Sequence, residues 1–365
     1  MVSIARRNLF QEKTRFIISI TGVAVAIMLI LFLSGIFQGF LVLYKSYVLN
    51  SGADIWVASD GWRDFHSISM LPRDIISDIK KIDGVRKVDY IILIQSAAFK
   101  SGDDEIAAVL VGFNPETGLG GPWKIYKGTA DIGQGEVIID RYLAYKYGLD
   151  IGDEIEISSE KLIIAGISEE TNLVIYQMIF LREDDASRIL NLDGIVTFIL
   201  VNADNPSEVT KKINEEIPGV AAYTSEEYVE KGFAFMESFN PFLYITAVAG
   251  SIVGIAIIGI TIYTLTTERL REFGVLKAIG AENNQLYKIV LNQALIVAMT
   301  GFFIGVILLE ISSAAISMFM PELMIYVTFE TLFYTLIASV LMGLASSYLP
   351  IKRIAGVDPA IVFKS

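Results

Sequence analysis

The chain of 365 residues has no Cys and a single His, His66. Neither a disulfide framework nor a thiolate or multi-His metal site is available to it, and no metal ligand is assigned. The missing Cys says little about compartment, because disulfide-free domains occur outside bacterial cells as well as inside. No G-x-x-x-x-G-K-[ST] stretch is present, so there is no phosphate-binding loop of that type. No nucleophile–base pair or paired-carboxylate constellation stands out, and no residue is assigned a catalytic role. Basic residues are in deficit, with 29 Lys+Arg against 41 Asp+Glu and a formal net charge of −12. That balance argues against nucleic acid as a partner.

What the chain has in excess is apolar surface. The hydrophobic fraction is 53% and the mean hydropathy +0.54, more than a soluble protein of this size usually carries. The excess sits in four charge-free runs, Phe16 to Tyr44, Ser238 to Thr267, Ile289 to Leu309 and Thr331 to Ile351. A helix needs about 20 apolar residues to cross about 30 Å of hydrocarbon, and each run is long enough. The predicted spans are 16–44, 242–267, 289–318 and 329–351. The first two runs exceed the need by several residues, so those helices either tilt or continue as stalks into the domain they flank; their position favours stalks. The first run is too long for a cleavable signal, and no small-residue cleavage site follows it.

Lys and Arg set the orientation. Arg6, Arg7, Lys13 and Arg15 precede the first run, Arg269, Arg271, Lys277 and Lys288 separate the second and third, and Lys352, Arg353 and Lys364 follow the fourth. The short loop 319–328 has neither. Both termini (1–15, an amphipathic helix, and 352–365, a tail) and the 268–288 loop are therefore expected in the cytoplasm, with the chain multi-pass in the plasma (inner) membrane. The cytoplasmic pieces carry 11 basic and 5 acidic residues, whereas residues 45–241 carry 18 and 33, so the acidity belongs to the outer domain.

Residues 45–241 are long enough to bury a core. Ala53 to Ser59 reads as a strand. Leu71 to Ile82 reads as a helix ending at Gly84, with Ile75, Ile76, Ile79 and Ile82 on one face. Val85 to Lys100 and Glu105 to Phe113 read as a hairpin around Ser101-Gly102-Asp103-Asp104. Thr197 to Val201, Pro206 to Ile217 and Val220 to Tyr223 read as strand, helix and strand. The two ends together form a ferredoxin-like split β-α-β arrangement. The middle, about 115–192, reads as an inserted β-rich subdomain built from Gly135 to Asp140, Asp153 to Ile157 and Lys161 to Ala165, with a short helix over Tyr142 to Tyr147. The fold class is an α-helical membrane protein with four transmembrane helices plus an α+β extracytoplasmic domain.

The most informative segment is Thr267-Glu-Arg-Leu-Arg-Glu-Phe-Gly-Val-Leu-Lys-Ala-Ile-Gly-Ala281. It reads as a short amphipathic helix, with Leu270, Phe273, Leu276, Lys277 and Gly280 near helical spacing, ended by Gly280. A helix lying at the lipid headgroups has similar composition. Glu268 and Glu272 would sit badly beside anionic lipid, and Gly274 is a poor choice in mid-helix unless another backbone approaches.

This segment resembles the signature of the FtsX-like, or MacB-type, ABC transporter permeases (type VII). The resemblance extends over the chain: Ala5-Arg-Arg-Asn-Leu-Phe-Gln-Glu-Lys-Thr-Arg15 is similar to the amphipathic helix before the first span of that family, and Leu349-Pro-Ile-Lys-Arg-Ile-Ala-Gly-Val-Asp-Pro-Ala360 to its closing motif. Thr261-Ile-Tyr-Thr264 most resembles the DevC-like branch, which has no fused ATPase. The resemblance implies a permease subunit that transmits ATP-driven motion to an outer domain for export or extraction of a substrate, with a MacB-like periplasmic core at 45–241. It implies ATP and Mg on a separate ABC ATPase partner and no cofactor on this chain. It also implies a second copy of the permease or a paralogue, and allows a periplasmic adaptor. Carried onto this sequence, the ATPase-coupling residues are Glu268, Arg269, Arg271, Glu272, Phe273, Gly274, Leu276, Lys277, Ile279 and Gly280. MacB itself carries its ATPase on the same chain before the first span; here the first span starts near residue 16, so a separate ATPase is expected. The cell-division FtsX branch, a regulator of a wall hydrolase, is the alternative reading. A secondary transporter fits less well, since the spans lack paired buried charges.

Three G-x-x-x-G pairs, Gly35/Gly39, Gly250/Gly254 and Gly301/Gly305, allow close helix approach and are candidates for a dimer interface. Glu310 is expected to reach the outer interface. Glu322 and Glu330, and the acidic clusters at 103–105, 153–156 and 183–185, read as solvated, and His66 as a surface residue without a role.

Overall fold

The computed structural model describes residues 12–64, 67–101, 104–173, 177–320 and 323–356. His66, Glu322, the Gly102-Asp103 turn, residues 1–11 of the N-terminal motif and 357–365 of the tail lie outside them. The chain divides into two units, Met1–Gly39 with Asn240–Ser365, and Phe40–Phe239. The first helix, α1 (Lys13–Asn50, 38 residues), contributes to both. It does not stop where the charge-free run ends. Tyr44, Tyr47 and Val48 recur at helical spacing and are all buried, so the helix is held by packing for two further turns. Gly52, at φ +76°, lies just past its end.

The unit 40–239 runs β1 (Ile55–Ser59), β2 (Leu71–Pro72), α2 (Ile75–Ile79), β3 (Val85–Ser101), β4 (Asp104–Phe113), β5 (Ile125–Gly128), β6 (Glu136–Asp140) and α3 (Arg141–Tyr147). It continues with β7 (Glu154–Ile157), β8 (Glu160–Ser168), β9 (Gln177–Arg182), α4 (Glu183–Ile189), β10 (Ile195–Val196) and β11 (Phe198–Ala203). It closes with α5 (Pro206–Glu216), β12 (Val220–Thr224) and α6 (Ser225–Glu237). The order β12-β1-β11-β3, antiparallel throughout, is the ferredoxin-like arrangement. Its strands alternate between two buried sets: Ile55 and Val57 pack with Ile199, Val201 and Ile213, whereas Trp56 and Ala58 pack with Leu200 and Tyr228.

β3 is long enough to serve two sheets. Val85 to Ile91 pairs with β11, and Ile92 to Ser101 pairs with β4. From there β4-β9-β6-β8 continue the sheet, and β7 pairs with both β8 and β3, so six strands close on themselves. Closure removes exposed strand edges. The β-rich part therefore begins within β3, at about residue 92, not at the expected 115, and β4 belongs to it. The reason is the length of β3: a strand of 17 residues outruns its ferredoxin-like partner and must find another.

Two further expectations are corrected. The helix expected over 71–82 is only Ile75–Ile79, because Leu71 and Pro72 are drawn into pairing with β10. Ile79 and Ile82 are nevertheless buried, as their spacing implies. The acidic cluster 183–185 is not a solvated turn. Glu183 and Asp185 are buried in the first turn of α4, where Asp185 accepts hydrogen bonds from Gly135 N (2.8 Å) and Arg188 Nη2 (2.8 Å).

The helical unit adds α7 (Asn240–Glu268), α8 (Leu270–Ala278), α9 (Asn283–Phe319), α10 (Phe329–Ser346) and α11 (Tyr348–Ala355). Among the described residues four helical segments are long and apolar enough to cross a membrane: α1, α7, α9, and α10 with α11. α9 starts where a capping box joins Glu282 and Gln285. α10 starts where Thr328 accepts from Thr331 N at 3.1 Å. Ser19, fully buried on α1, shares a 2.5 Å hydrogen bond with Thr261 on α7, and Arg15 pairs with Glu268 at the end of the same two helices.

Candidate functional site

The segment after α7 is built as a short helix with two faces. Gly280, at φ +99°, ends it: Ala281 N donates to Leu276 O (2.9 Å) and Gly280 N to Lys277 O (3.0 Å), a Schellman-type closure. Phe273 and Gly274 are buried in the helical unit, and Leu276 packs against its core, which includes Leu286, Ile289 and Ile354. Lys277 Nζ donates to Ile354 O (3.0 Å) and Ala355 O (3.1 Å), the last carbonyls of α11, where the helix dipole favours a cation. Arg269 sits 3.6 Å from Glu272, and Glu268 is paired with Arg15.

The sequence-predicted coupling residues therefore divide. Phe273, Leu276 and Lys277 fasten the helix to its own chain, and Gly274 is buried beside Phe273. Arg271, Glu272, Ile279 and Gly280 face outward. Val275, 43% exposed, joins Ile279, 75% exposed, as an apolar pair on that outer face. Sequence reasoning passed over Val275, although it lies four residues from both Arg271 and Ile279.

The six glycines proposed for a dimer interface all meet their own chain. A Cβ at Gly301 would lie 2.6 Å from Val23 Cγ1, at Gly305 2.8 Å from Ala24 O, and at Gly254 2.6 Å from Met342 Sδ. At Gly250 it would lie 3.0 Å from Ile30 Cδ1, at Gly35 2.8 Å from Ile325 Cγ2, and at Gly39 it would collide with Met324 O. Small residues here let α1 approach α7, α9 and the 323–328 segment, and let α7 approach α10. Within the chain they are packing positions. Glu310 is exposed on α9. A cavity of about 730 Å³ opens within this unit among α1, α7 and α10, with Ser34, Gln38, Asn240 and Glu330 among its lining residues.

In the outer unit the end of α1 enters an aromatic cluster. Trp62 stacks on Tyr228 (4.5 Å between centroids), Trp56 stacks on Tyr228 (4.6 Å), and Tyr47 meets Trp56 edge-on (5.9 Å). Tyr47 Oη donates to Gly120 O at 3.2 Å. Gly232 on α6 lies against the Tyr44 hydroxyl, where a Cβ would come within 2.8 Å.

Comparison with known proteins agrees with this architecture. The model of the FtsX-like permease C-terminal region matches residues 244–359, and that of the MacB-like periplasmic core domain matches residues 16–219. An uncharacterized ABC transporter permease of Mycobacterium tuberculosis is 25% identical over 371 residues, covering 100% of this chain and 99% of its own. The macrolide export ATP-binding/permease protein MacB 1 of Yersinia pestis is 26% identical over 141 residues, 38% of this chain and 22% of that protein. The crystal structure of the periplasmic region of MacB from Actinobacillus actinomycetemcomitans aligns with 49% of this chain and 92% of its own, at 12% identity and a TM-score of 0.38. The core-domain match alone spans more than half of the residues, and the chain belongs to the membrane ABC transporter permeases of the MacB/FtsX type.

Proposed function

We propose that the chain is a non-catalytic permease subunit that takes ATP-driven motion from an ATPase on another chain and delivers it to its outer domain, for export or extraction of a substrate. The observation that carries this reading is the fate of α1. It runs unbroken from Lys13 to Asn50, and its last turns are part of a hydrophobic core of the outer unit, through Tyr44, Tyr47 and Val48. Displacing that helix end means displacing Trp56, Trp62 and Tyr228 with it, because close-packed interiors transmit strain. The ATPase docks on the outward face of α8, and membership of the ABC transporter permeases supports such a partner. Two copies of the permease, or one copy with a paralogue, complete the complex, which leaves room for an adaptor outside. The termini and α8 lie in the cytoplasm, and residues 45–241 outside.

The test uses spin labels, to which a chain without Cys is well suited. Asp60→Cys in each copy of the reconstituted complex reports the distance between outer domains. Trapping the ATPase with ATP shifts that distance. Inserting three glycines after Leu43 abolishes the shift while ATP hydrolysis continues. An unchanged distance in the unmodified complex, or a shift that survives the insertion, refutes the reading.

A further inference from the structure

The outer unit carries a polar cleft that the coupling reading does not use. It has a volume of about 460 Å³ and lies between α2, the β3 residues Val88 to Tyr90, the 114–117 loop and the start of α4. Its floor is acidic and buried. Glu183 is 6% exposed and Asp89 7% exposed. Asp89 is held in place: its Oδ1 accepts from Tyr90 N (2.9 Å) and its Oδ2 from the Thr117 hydroxyl (2.6 Å). Glu183 Oε2 is buried with no hydrogen-bond partner. Its mouth is basic. Arg73 and Lys80 are exposed there, beside Asp74, with the Arg73 guanidinium 4.6 Å above the Tyr90 ring.

A buried carboxylate oxygen without a donor is costly, and a second buried carboxylate lining the same cleft adds to the cost. Burial pushes the Glu183 carboxyl upward, and the charges of Asp184 and Asp89 push it the same way. Among the described residues no ion pair joins Glu183 or Asp89 to a Lys or Arg, and the neighbouring Arg182 charge opposes the upward push on Glu183 without cancelling it. A donor-bearing cation arriving from outside would satisfy both carboxylates, and an ammonium brings three donors. The space is far larger than a bare ion needs and is in the range of small-molecule sites. Among the described residues no group of three or more His, Asp or Glu side chains converges to hold a metal. The basic mouth would repel a polycation but suits an anionic group at the other end of the ligand.

We propose that this cleft binds a small amphoteric ligand end-on, its ammonium group on Glu183 and Asp89 at the floor and its anionic group toward Arg73 and Lys80 at the mouth. The proposal is independent of whether the chain couples to an ATPase. The probe is 6-aminohexanoate, titrated calorimetrically into the full chain in detergent micelles. Hexanoate, which lacks the amine, and 6-hydroxyhexanoate, which replaces it with a neutral donor, are the controls. The amine probe saturates with a Kd on the order of 1 mM, and both controls bind at least tenfold more weakly. Glu183→Gln weakens the amine probe at least tenfold. Lys80→Glu, an exposed position whose substitution leaves the fold intact, weakens it severalfold and keeps the test decisive if Glu183→Gln unfolds. No saturable binding, equal binding of the three probes, or indifference to both substitutions overturns the proposal.

Discussion

The outward face of α8 makes a quantitative prediction. Fully burying an Ile or Val side chain contributes about 1.5–3 kcal/mol. Ile279 is 75% exposed in the chain by itself and Val275 43%. Docking that covers both therefore draws about 1–2 kcal/mol from Ile279 and about 1 kcal/mol from Val275. Loss of the Ile279 share alone weakens the partner ATPase about five- to thirtyfold, and an Asp at that position adds an unpaired buried charge. The assay is a Kd for the ATPase on the chain in nanodiscs, with thermal unfolding measured in parallel. Ile279→Asp and Val275→Asp raise Kd at least tenfold and fivefold and leave the unfolding midpoint unchanged. Phe273→Ala does the reverse: it opens a cavity in the helical unit, costs about 3–5 kcal/mol of stability, and reaches docking only through loss of fold. Were the segment a headgroup-bound helix, the Asp variants would change lipid association and leave the ATPase Kd alone. A Kd within twofold of the unmodified value for both Asp variants would refute the coupling role.

Three further outcomes follow from the same structure. Asp140, fully buried as the N-cap of α3 and hydrogen-bonded by Thr171, is pushed up to about 6 from 3.8, chiefly by burial. A carboxyl raised on folding favours the folded state when protonated, so its contribution is lost as pH rises from about 4 to about 6, by roughly 3 kcal/mol at most. Urea unfolding of wild type against Asp140→Asn across that window shows the wild type losing ground as pH rises; a pH-independent difference sinks the assignment. Gly305→Ala, whose Cβ would lie 2.8 Å from Ala24 O, costs about 1–3 kcal/mol, read as a lower unfolding temperature with no change in self-association; loss of self-association without loss of stability would place Gly305 at a dimer interface instead. Single cysteines at Asp83 and Asn284, both exposed, are labelled by an impermeant reagent in intact cells at Asp83 alone, and labelling at Asn284 alone reverses the orientation.

Much of this architecture was legible in the residues alone, because the signals are local. Charge-free runs of sufficient length mark helices that a bilayer would accept. The Leu270 to Gly280 spacing marks a short helix and its end, since a left-handed closing residue is nearly always Gly. Apolar positions such as Ile79 and Ile82 declare a buried face by period alone. What the tertiary structure decided is which side of each element meets which neighbour. Leu276 and Ile279 look equally apolar along the chain, yet one packs on the helical unit and the other is free, because Phe273 and the Lys277 contacts with Ile354 and Ala355 set the rotation of α8. The glycine pairs carry a spacing that permits close approach but not the identity of the approaching helix. Glu183-Asp184-Asp185 has the composition of a solvated turn, and only the convergence of β3, the 114–117 loop and α4 buries Glu183 beside Asp89 in one cleft. Period and composition act within a few residues, whereas rotation, partner and burial are set by contacts between segments tens to hundreds of residues apart.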